Sequence, residues 1–207
     1  MKALIIANGQ LPPRQLVRSL ASSANLIVCA DGGANHARRM DIRPDIILGD
    51  LDSISPSTKL IYKRIPLLLI SSQESTDLEK AVRYCLERKC KSIDVIGALG
   101  SRIDHAIGAL GVFKKFGRRT TITLIDGVGK LTLVMRRIRL HMKAGQQLSL
   151  IPLEKTTGVT TRNLKYSLKN ETLEIGVREG ISNEATAANV TVSLRRGTLL
   201  VYQFHLR

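Results

Sequence analysis

Short apolar runs alternate with segments that can form helices over the first 127 residues, and the alternation ends there. The runs are rich in β-branched residues and leucine, and they read ALIIA, LIVCA, DIILG, LLLIS, IDVIG and TITLI. The intervening segments at 76–89 and 103–116 carry the spacing of amphipathic helices. Repeats of strand, helix and strand form parallel sheets with helices packed on their faces. The first part of the chain is therefore predicted to be an α/β domain with a parallel sheet and flanking helices.

A different pattern begins after residue 127. Short apolar segments such as QQLSLIPL, NVTVSLR and TLLVYQF follow one another, separated by turn residues with little room for helices. This pattern is typical of an antiparallel sandwich or barrel. The glycines of DGVGK at 126–130 indicate a turn between the two patterns. We expect two domains, 1–127 and 128–207.

The composition restricts the class of protein. With 207 residues and 43% hydrophobic content, the chain can bury a sizeable core. It has no apolar run of the roughly 18 to 20 residues that cross a bilayer, and its first ten residues do not resemble a secretory signal. Cys29, Cys85 and Cys90 have neither metal-site spacing nor a disulfide pattern, so we expect buried, reduced thiols. These features predict a cytoplasmic protein that does not enter membranes.

The chain is strongly basic, with 32 Lys and Arg against 17 Asp and Glu and a net charge of +15. Such a charge raises the alternative of a nucleic-acid-binding protein. Only 3% of residues are aromatic, and the cations follow no single stripe, so no specific nucleic-acid partner is expected. Every aspartate lies at or before Asp126, which indicates that the acidic chemistry belongs to the first domain.

Two aspartates follow the third apolar run directly, in the stretch ILGDLDSIS at 47–55. Ligands bind outside the carboxyl ends of the strands in open α/β sheets, and alternation along an extended chain aims Asp50 and Asp52 the same way. Two converging carboxylates repel unless a cation lies between them, and oxygen ligands suit Mg²⁺. The competing interpretation is that Asp52 and Ser53 cap the next helix.

Acidic side chains also follow three other runs. Asp31 is followed by two glycines, which we expect to let a ligand approach the backbone. Glu74 and Asp77 precede or begin the helix at 76–89, and Asp104 lies with Arg102 and His105 at the start of the last helix. Because the carboxyl ends of parallel strands meet at one edge of a sheet, these groups are predicted to form one acidic rim.

These segments resemble the thiamine pyrophosphokinase family. The resemblance rests on DGGAN, PDIILGDLDSI, STDLEKA and GSRIDH in this order, with TTRNLKYSL and GISNE in the second half. It implies an enzyme that transfers a pyrophosphoryl group from ATP to the hydroxyl of thiamine with Mg²⁺ and releases AMP. It also implies an α/β domain that binds ATP and Mg²⁺, followed by an all-β sandwich domain that binds thiamine.

The resemblance implies roles for individual residues. Mg²⁺ and the transferred phosphates would be held by Asp50, Asp52 and Asp77, with Asp31 and Asp104 completing the acidic catalytic cluster. The residues implied for ATP are Asn35, Ser75, Thr76, Arg102 and His105. Those implied for thiamine are Tyr166, Ser182 and Asn183, which would face the acidic rim of the partner subunit in a homodimer.

The chain departs from the family pattern at several positions. Gln73 and Glu74 stand where a lysine and an aspartate are common, Ser101 and Asn163 replace usual glycines, and Tyr166 replaces a tryptophan. Two other enzymatic alternatives share the acidic rim: a metal-dependent phosphohydrolase, and a pyrophosphokinase for another hydroxymethyl heterocycle such as a pterin. The hydrolase does not need the second domain, and the second-half motifs speak against the pterin.

Overall fold

The computed structural model describes residues 1–100 and 102–206, so Ser101 lies outside the described residues. The chain forms two compact units, Met1–Gly127 and Val128–Arg207. The first unit alternates strands and helices in the order β1 (Lys2–Ile6), α1 (Arg14–Ser23), β2 (Leu26–Ala30), α2 (Gly33–Arg39), β3 (Ile46–Gly49), α3 (Pro56–Ile61), β4 (Leu67–Leu69), α4 (Asp77–Glu87), β5 (Ser92–Ile96), α5 (Ile103–Phe116) and β6 (Thr121–Ile125).

The strands of the first unit lie in the order β6-β5-β1-β2-β3-β4 and are all parallel. Strands β1 and β3 are almost wholly buried, as expected for a parallel sheet covered by helices. Strand β4 is short and exposed because it forms the edge of this set. All the carboxyl ends therefore meet at one edge, which is where the acidic segments begin.

The second unit contains β7 (Gly129–Val134), β8 (Arg137–His141), β9 (Gln147–Pro152), β10 (Thr156–Arg162), β11 (Glu171–Leu173), β12 (Gly180–Glu184), β13 (Asn189–Ser193) and β14 (Leu199–Phe204). One antiparallel set has the order β12-β9-β14-β7, and the other has the order β11-β10-β13-β8. Residues from both sets, such as Leu148 and Val190, share one hydrophobic core. The unit is therefore a β-sandwich.

The predicted fold class, an α/β domain followed by an all-β sandwich domain, is confirmed. The two predicted amphipathic helices are α4 and α5, although α4 ends at Glu87, before the predicted end at 89. Among the described residues, no helix is both long and apolar enough to span a bilayer.

Candidate active site

A cavity of about 540 Å³ lies at the carboxyl ends of the parallel strands of the first unit. Its lining residues lie at or after the ends of β1, β2, β3 and β5, in the loop between β4 and α4, and in α4 and α5. The polar and charged ones are Asn8, Asp31, Asp50, Asp52, Ser53, Gln73, Ser75, Thr76, Asp77, Lys80, Asp104 and His105. The five predicted acidic residues of the catalytic cluster thus all line one cavity.

Three of these carboxylates lie closest together. Oxygen atoms of Asp31, Asp50 and Asp77 are all within 4.8 Å of one another. Asp31 is buried and has a left-handed backbone φ of 45°, a sparsely populated conformation that is often found at functional sites. Three like charges at this spacing repel unless a cation neutralises them, and a set of carboxylate oxygens matches the ligand preference of Mg²⁺.

Gly49 packs closely against the side chains of two of these aspartates, Asp31 and Asp77. Its backbone φ is 139°, and a Cβ atom added there would lie 3.0 Å from both the Asp31 Cβ atom and the Asp77 Oδ1 atom. Only glycine adopts this conformation without strain, and only glycine leaves room for both neighbours. The final residue of β3 therefore allows the two aspartates to approach each other.

Asp52 lines the cavity without joining this group of three. Leu51 has a φ of 64°, so the chain is not extended between Asp50 and Asp52 and the alternation that would aim both side chains together is lost. The Asp52 Oδ1 atom instead accepts a hydrogen bond of 2.9 Å from the Ser53 hydroxyl. The capping interpretation of Asp52 and Ser53 is wrong, because Ser55 caps α3 and accepts from the Thr58 amide.

Asp77 is held by the start of α4. Thr76 is the N-cap, and its hydroxyl accepts from the Glu79 amide at 3.2 Å, which places Asp77 in the first turn, where a carboxylate is favoured by the helix dipole. The Lys80 ammonium donates to the Asp77 Oδ1 atom at 2.9 Å, with only 4% of the lysine side chain exposed. Helix α4 therefore contributes a carboxylate and a buried cation to the cavity.

Asp104 forms a separate charged pair at the start of α5. The Arg102 guanidinium donates to both of its carboxylate oxygens, at 3.1 and 2.5 Å. These hydrogen bonds lower the pKa of Asp104 to about 2, with a smaller contribution from the neighbouring His105 backbone. Arg102 is exposed and is not among the described lining residues, and its two hydrogen bonds orient the Asp104 carboxylate.

The other residues predicted to bind ATP divide into two groups. Ser75, Thr76 and His105 line the cavity. Asn35 instead bridges the loop before α3, since its amide donates to the Ser53 carbonyl and its Oδ1 atom accepts from the Ser55 amide. Its side chain therefore supports the loop that carries Asp52.

The two glycines after Asp31 lie in close contact with the end of β1 and the residue that follows it. A Cβ atom on Gly33 would lie 1.9 Å from the Ile6 carbonyl oxygen, and one on Gly32 would lie 2.3 Å from the Asn8 Nδ2 atom. The glycines thus let the start of α2 pack against the end of β1, and the approach of a ligand to this backbone stays a prediction.

Two polar or charged lining residues, Asn8 and Lys80, were not predicted from the sequence. Asn8 follows β1, and the rule that ligand groups follow strand ends would have found it had that rule been applied to the first strand. Lys80 carries a weaker signal, because a lysine three residues after an aspartate on a helix is usually an exposed pair.

In the second unit, hydrogen bonds link two of the residues predicted to bind thiamine, Tyr166 and Asn183. The Tyr166 side chain is exposed, whereas Asn183 is buried. The Asn183 side-chain amide donates to the Tyr166 carbonyl oxygen, and its Oδ1 atom accepts from the Tyr166 backbone amide. Ser182 lies in a bulge of β12 with a φ of 59°. Asn163 has a φ of 62°, which explains why glycine is usual there and asparagine is tolerated.

A second cavity in the first unit, of about 610 Å³, lies between the ends of α2 and α3. Asp41, the carboxylate in its described lining, is paired with Arg14 and Arg18. The described lining of this second cavity contains no cluster of carboxylates like that of the strand-end cavity.

Both halves of the chain are similar to known proteins. The family model described as thiamin pyrophosphokinase, catalytic domain, matches residues 17–125, and the model described as thiamin pyrophosphokinase, vitamin B1 binding domain, matches residues 136–199. Thiamine pyrophosphokinase 3 of Oryza sativa subsp. japonica is 29% identical over 99% of this chain and 87% of its own length. Thiamine pyrophosphokinase of Bacillus subtilis is 27% identical over 95% of each chain.

The fold has close counterparts among solved structures. The crystal structure of thiamine pyrophosphokinase from Bacillus subtilis superposes with a TM-score of 0.87 at 24% identity, covering 99% of both chains. Both halves of the chain match their own family model, which a phosphohydrolase built on the acidic cavity alone does not explain. The chain belongs to the thiamine pyrophosphokinase family.

Proposed function

We propose that this chain transfers the pyrophosphoryl group of ATP to the hydroxyl of thiamine, giving thiamine diphosphate and AMP. The observation that carries the proposal is the cluster of Asp31, Asp50 and Asp77 in a strand-end cavity within the segment that matches the catalytic-domain model. Phosphoryl transfer requires mainly positioning and neutralisation of charge, and a carboxylate cluster that binds a divalent cation meets that requirement.

Mg²⁺ fits the donor set of the cavity. The three clustered carboxylates would hold it, with Asp52 at the rim as a further oxygen ligand, and Gly49 leaves the space in which they converge. Bound there, Mg²⁺ would neutralise charge on the triphosphate and orient it for transfer. Ser75, Thr76, His105 and Asn8 line the same cavity and would supply polar contacts for ATP.

Asp104 has the properties of a fixed anion rather than a general base. A base works best when its pKa is near the working pH, and the hydrogen bonds from Arg102 hold the pKa of Asp104 at about 2. We propose that this pair orients groups at the start of α5. Arg102 would also provide a positive charge near the phosphates.

Thiamine is assigned to the second unit, which matches the vitamin B1 binding model. The exposed Tyr166 ring offers a face on which a cationic thiazolium can stack. Asn183 is committed to the Tyr166 backbone, so we assign it the role of holding that ring in place, with Ser182 near the ligand. We also propose that the protein forms a homodimer. We propose a cytoplasmic location as well, because buried free thiols suit a reducing compartment.

The test is a product analysis with purified protein, ATP, Mg²⁺ and thiamine. Chromatography should show thiamine diphosphate and AMP in equal amounts, and omission of thiamine should stop the consumption of ATP. Consumption of ATP without thiamine would favour the hydrolase instead. Sedimentation of the protein at micromolar concentration tests the dimer, which a monomeric and fully active enzyme would contradict.

A further inference from the structure

Lys80 is the charged residue of the described cavity lining for which no role has been assigned. Its side chain is 4% exposed, and its ammonium lies 2.9 Å from the Asp77 Oδ1 atom. Lysine is almost never fully buried unless it is paired. Among the described residues that line the cavity, Lys80 is the only lysine or arginine.

A comparison on the same helix separates Lys80 from an ordinary helical ion pair. Arg83 pairs with Glu79 one turn apart at 2.7 Å, but half of the Arg83 side chain is exposed and neither residue lines the cavity. Because half of the Arg83 side chain stays in solvent, Arg83 keeps much of its hydration while it pairs with the mostly buried Glu79 carboxylate. Lys80 gives up its hydration for a partner that belongs to the carboxylate cluster, so its burial needs a reason beyond helix stability.

The partner supplies that reason. Asp77 is one of three carboxylates within 4.8 Å of one another, and repulsion among them favours side-chain rotations that separate the charges. A charge-assisted hydrogen bond to one Asp77 oxygen opposes that rotation and adds a positive charge beside the cluster. Residues that bond to metal ligands in this way set the orientation and affinity of a metal site.

We propose that Lys80 is a positioning residue that holds the Asp77 carboxylate within the cluster and thereby sets the affinity of the cluster for Mg²⁺. This inference rests on the proposed function, because it assumes that the cluster binds the metal. It concerns the protein before ATP arrives, so it is tested without turnover.

The experiment is calorimetric titration of the purified protein with Mg²⁺ alone. Lys80→Met keeps the apolar stem and removes the donor, and it should weaken Mg²⁺ binding by roughly tenfold to a hundredfold. Lys80→Arg keeps a cationic donor and should recover most of the affinity. Arg83→Met, the matched control on α4, removes an exposed cation outside the cavity and should bind Mg²⁺ as the wild type does.

A double variant tests whether Lys80 acts through Asp77. Asp77→Asn should weaken Mg²⁺ binding by itself, and adding Lys80→Met to it should cause little further loss, because the contact has already been broken. Additive losses in the double variant would show that Lys80 acts by another route and would overturn the proposal.

The remaining outcomes are also decisive. If Lys80→Met melts at a lower temperature but binds Mg²⁺ with wild-type affinity, Lys80 is merely structural and the inference is wrong. If Lys80→Met does not fold, an affinity of Lys80→Arg as low as that of Asp77→Asn would overturn it, and a near wild-type affinity would support it. If the wild type itself binds no Mg²⁺, the proposed metal role fails first and this inference fails with it.

Discussion

Replacing Gly49 by alanine should damage both the fold and the metal site. The backbone φ of 139° is strained for any residue with a Cβ atom, at a cost of about 1 to 3 kcal/mol. The new methyl would also lie 3.0 Å from Asp31 and Asp77, and overpacking of this kind costs about 1 to 3 kcal/mol more. The free energy of unfolding should therefore fall by about 2 to 6 kcal/mol.

Urea denaturation with and without Mg²⁺ measures this loss, and Gly145→Ala is the control. Gly145 has a φ of 84° and no atom within 4 Å of an added Cβ, so its variant carries backbone strain alone. That strain costs about 1 to 2 kcal/mol. Gly49→Ala should be clearly less stable than Gly145→Ala and should bind Mg²⁺ more weakly. If the two variants lose equal stability and both keep wild-type Mg²⁺ affinity, the inference that Gly49 packs closely against Asp31 and Asp77 is wrong.

Three further predictions concern the cavity and the second unit. Asp50→Asn should greatly reduce turnover while the melting temperature stays equal or rises, because it removes repulsion from the cluster; near wild-type activity at limiting Mg²⁺ would refute its role as a ligand. Tyr166→Ala should raise the KM for thiamine by roughly twofold to thirtyfold and spare that for ATP, as steady-state kinetics can show. Arg102→Met should raise the pKa of Asp104 from about 2 toward the ordinary value of about 3.9, followed by carboxyl NMR. Because the pKa of Asp104 is lowered in the folded protein, the stabilising contribution of this carboxylate is complete above about pH 4 and is lost as the pH falls toward 2. A wild-type Asp104 that titrates near pH 4 would contradict its ion pair with Arg102.

The sequence predicted the features that depend on periodicity. Alternating apolar runs and amphipathic segments specified the parallel sheet, and residues directly after the runs reached the cavity because parallel strands end together. Asp31 and Asp50 were identified in this way, and Asp77 was identified by its position at the start of the predicted helix at 76–89.

Features beyond the strand ends could not be predicted, because they depend on individual backbone dihedrals and on long-range contacts. Leucine rarely adopts a left-handed conformation, so nothing in the letters ILGDLD indicates that the extended chain is interrupted at Leu51, between Asp50 and Asp52. The packing of Gly33 against the Ile6 carbonyl depends on how closely α2 approaches β1. The burial of Lys80 likewise depends on where α4 lies against the sheet.

Transfer of an intact pyrophosphoryl group is the central claim, and labelled ATP tests it most directly. Two reactions with Mg²⁺ and thiamine, one with phosphorus-32 at the β position of ATP and one with it at the γ position, should both place the label in thiamine diphosphate and leave AMP unlabelled. Label transferred from the γ position alone, with ADP as the second product, or label released as free phosphate in either reaction, would contradict the account.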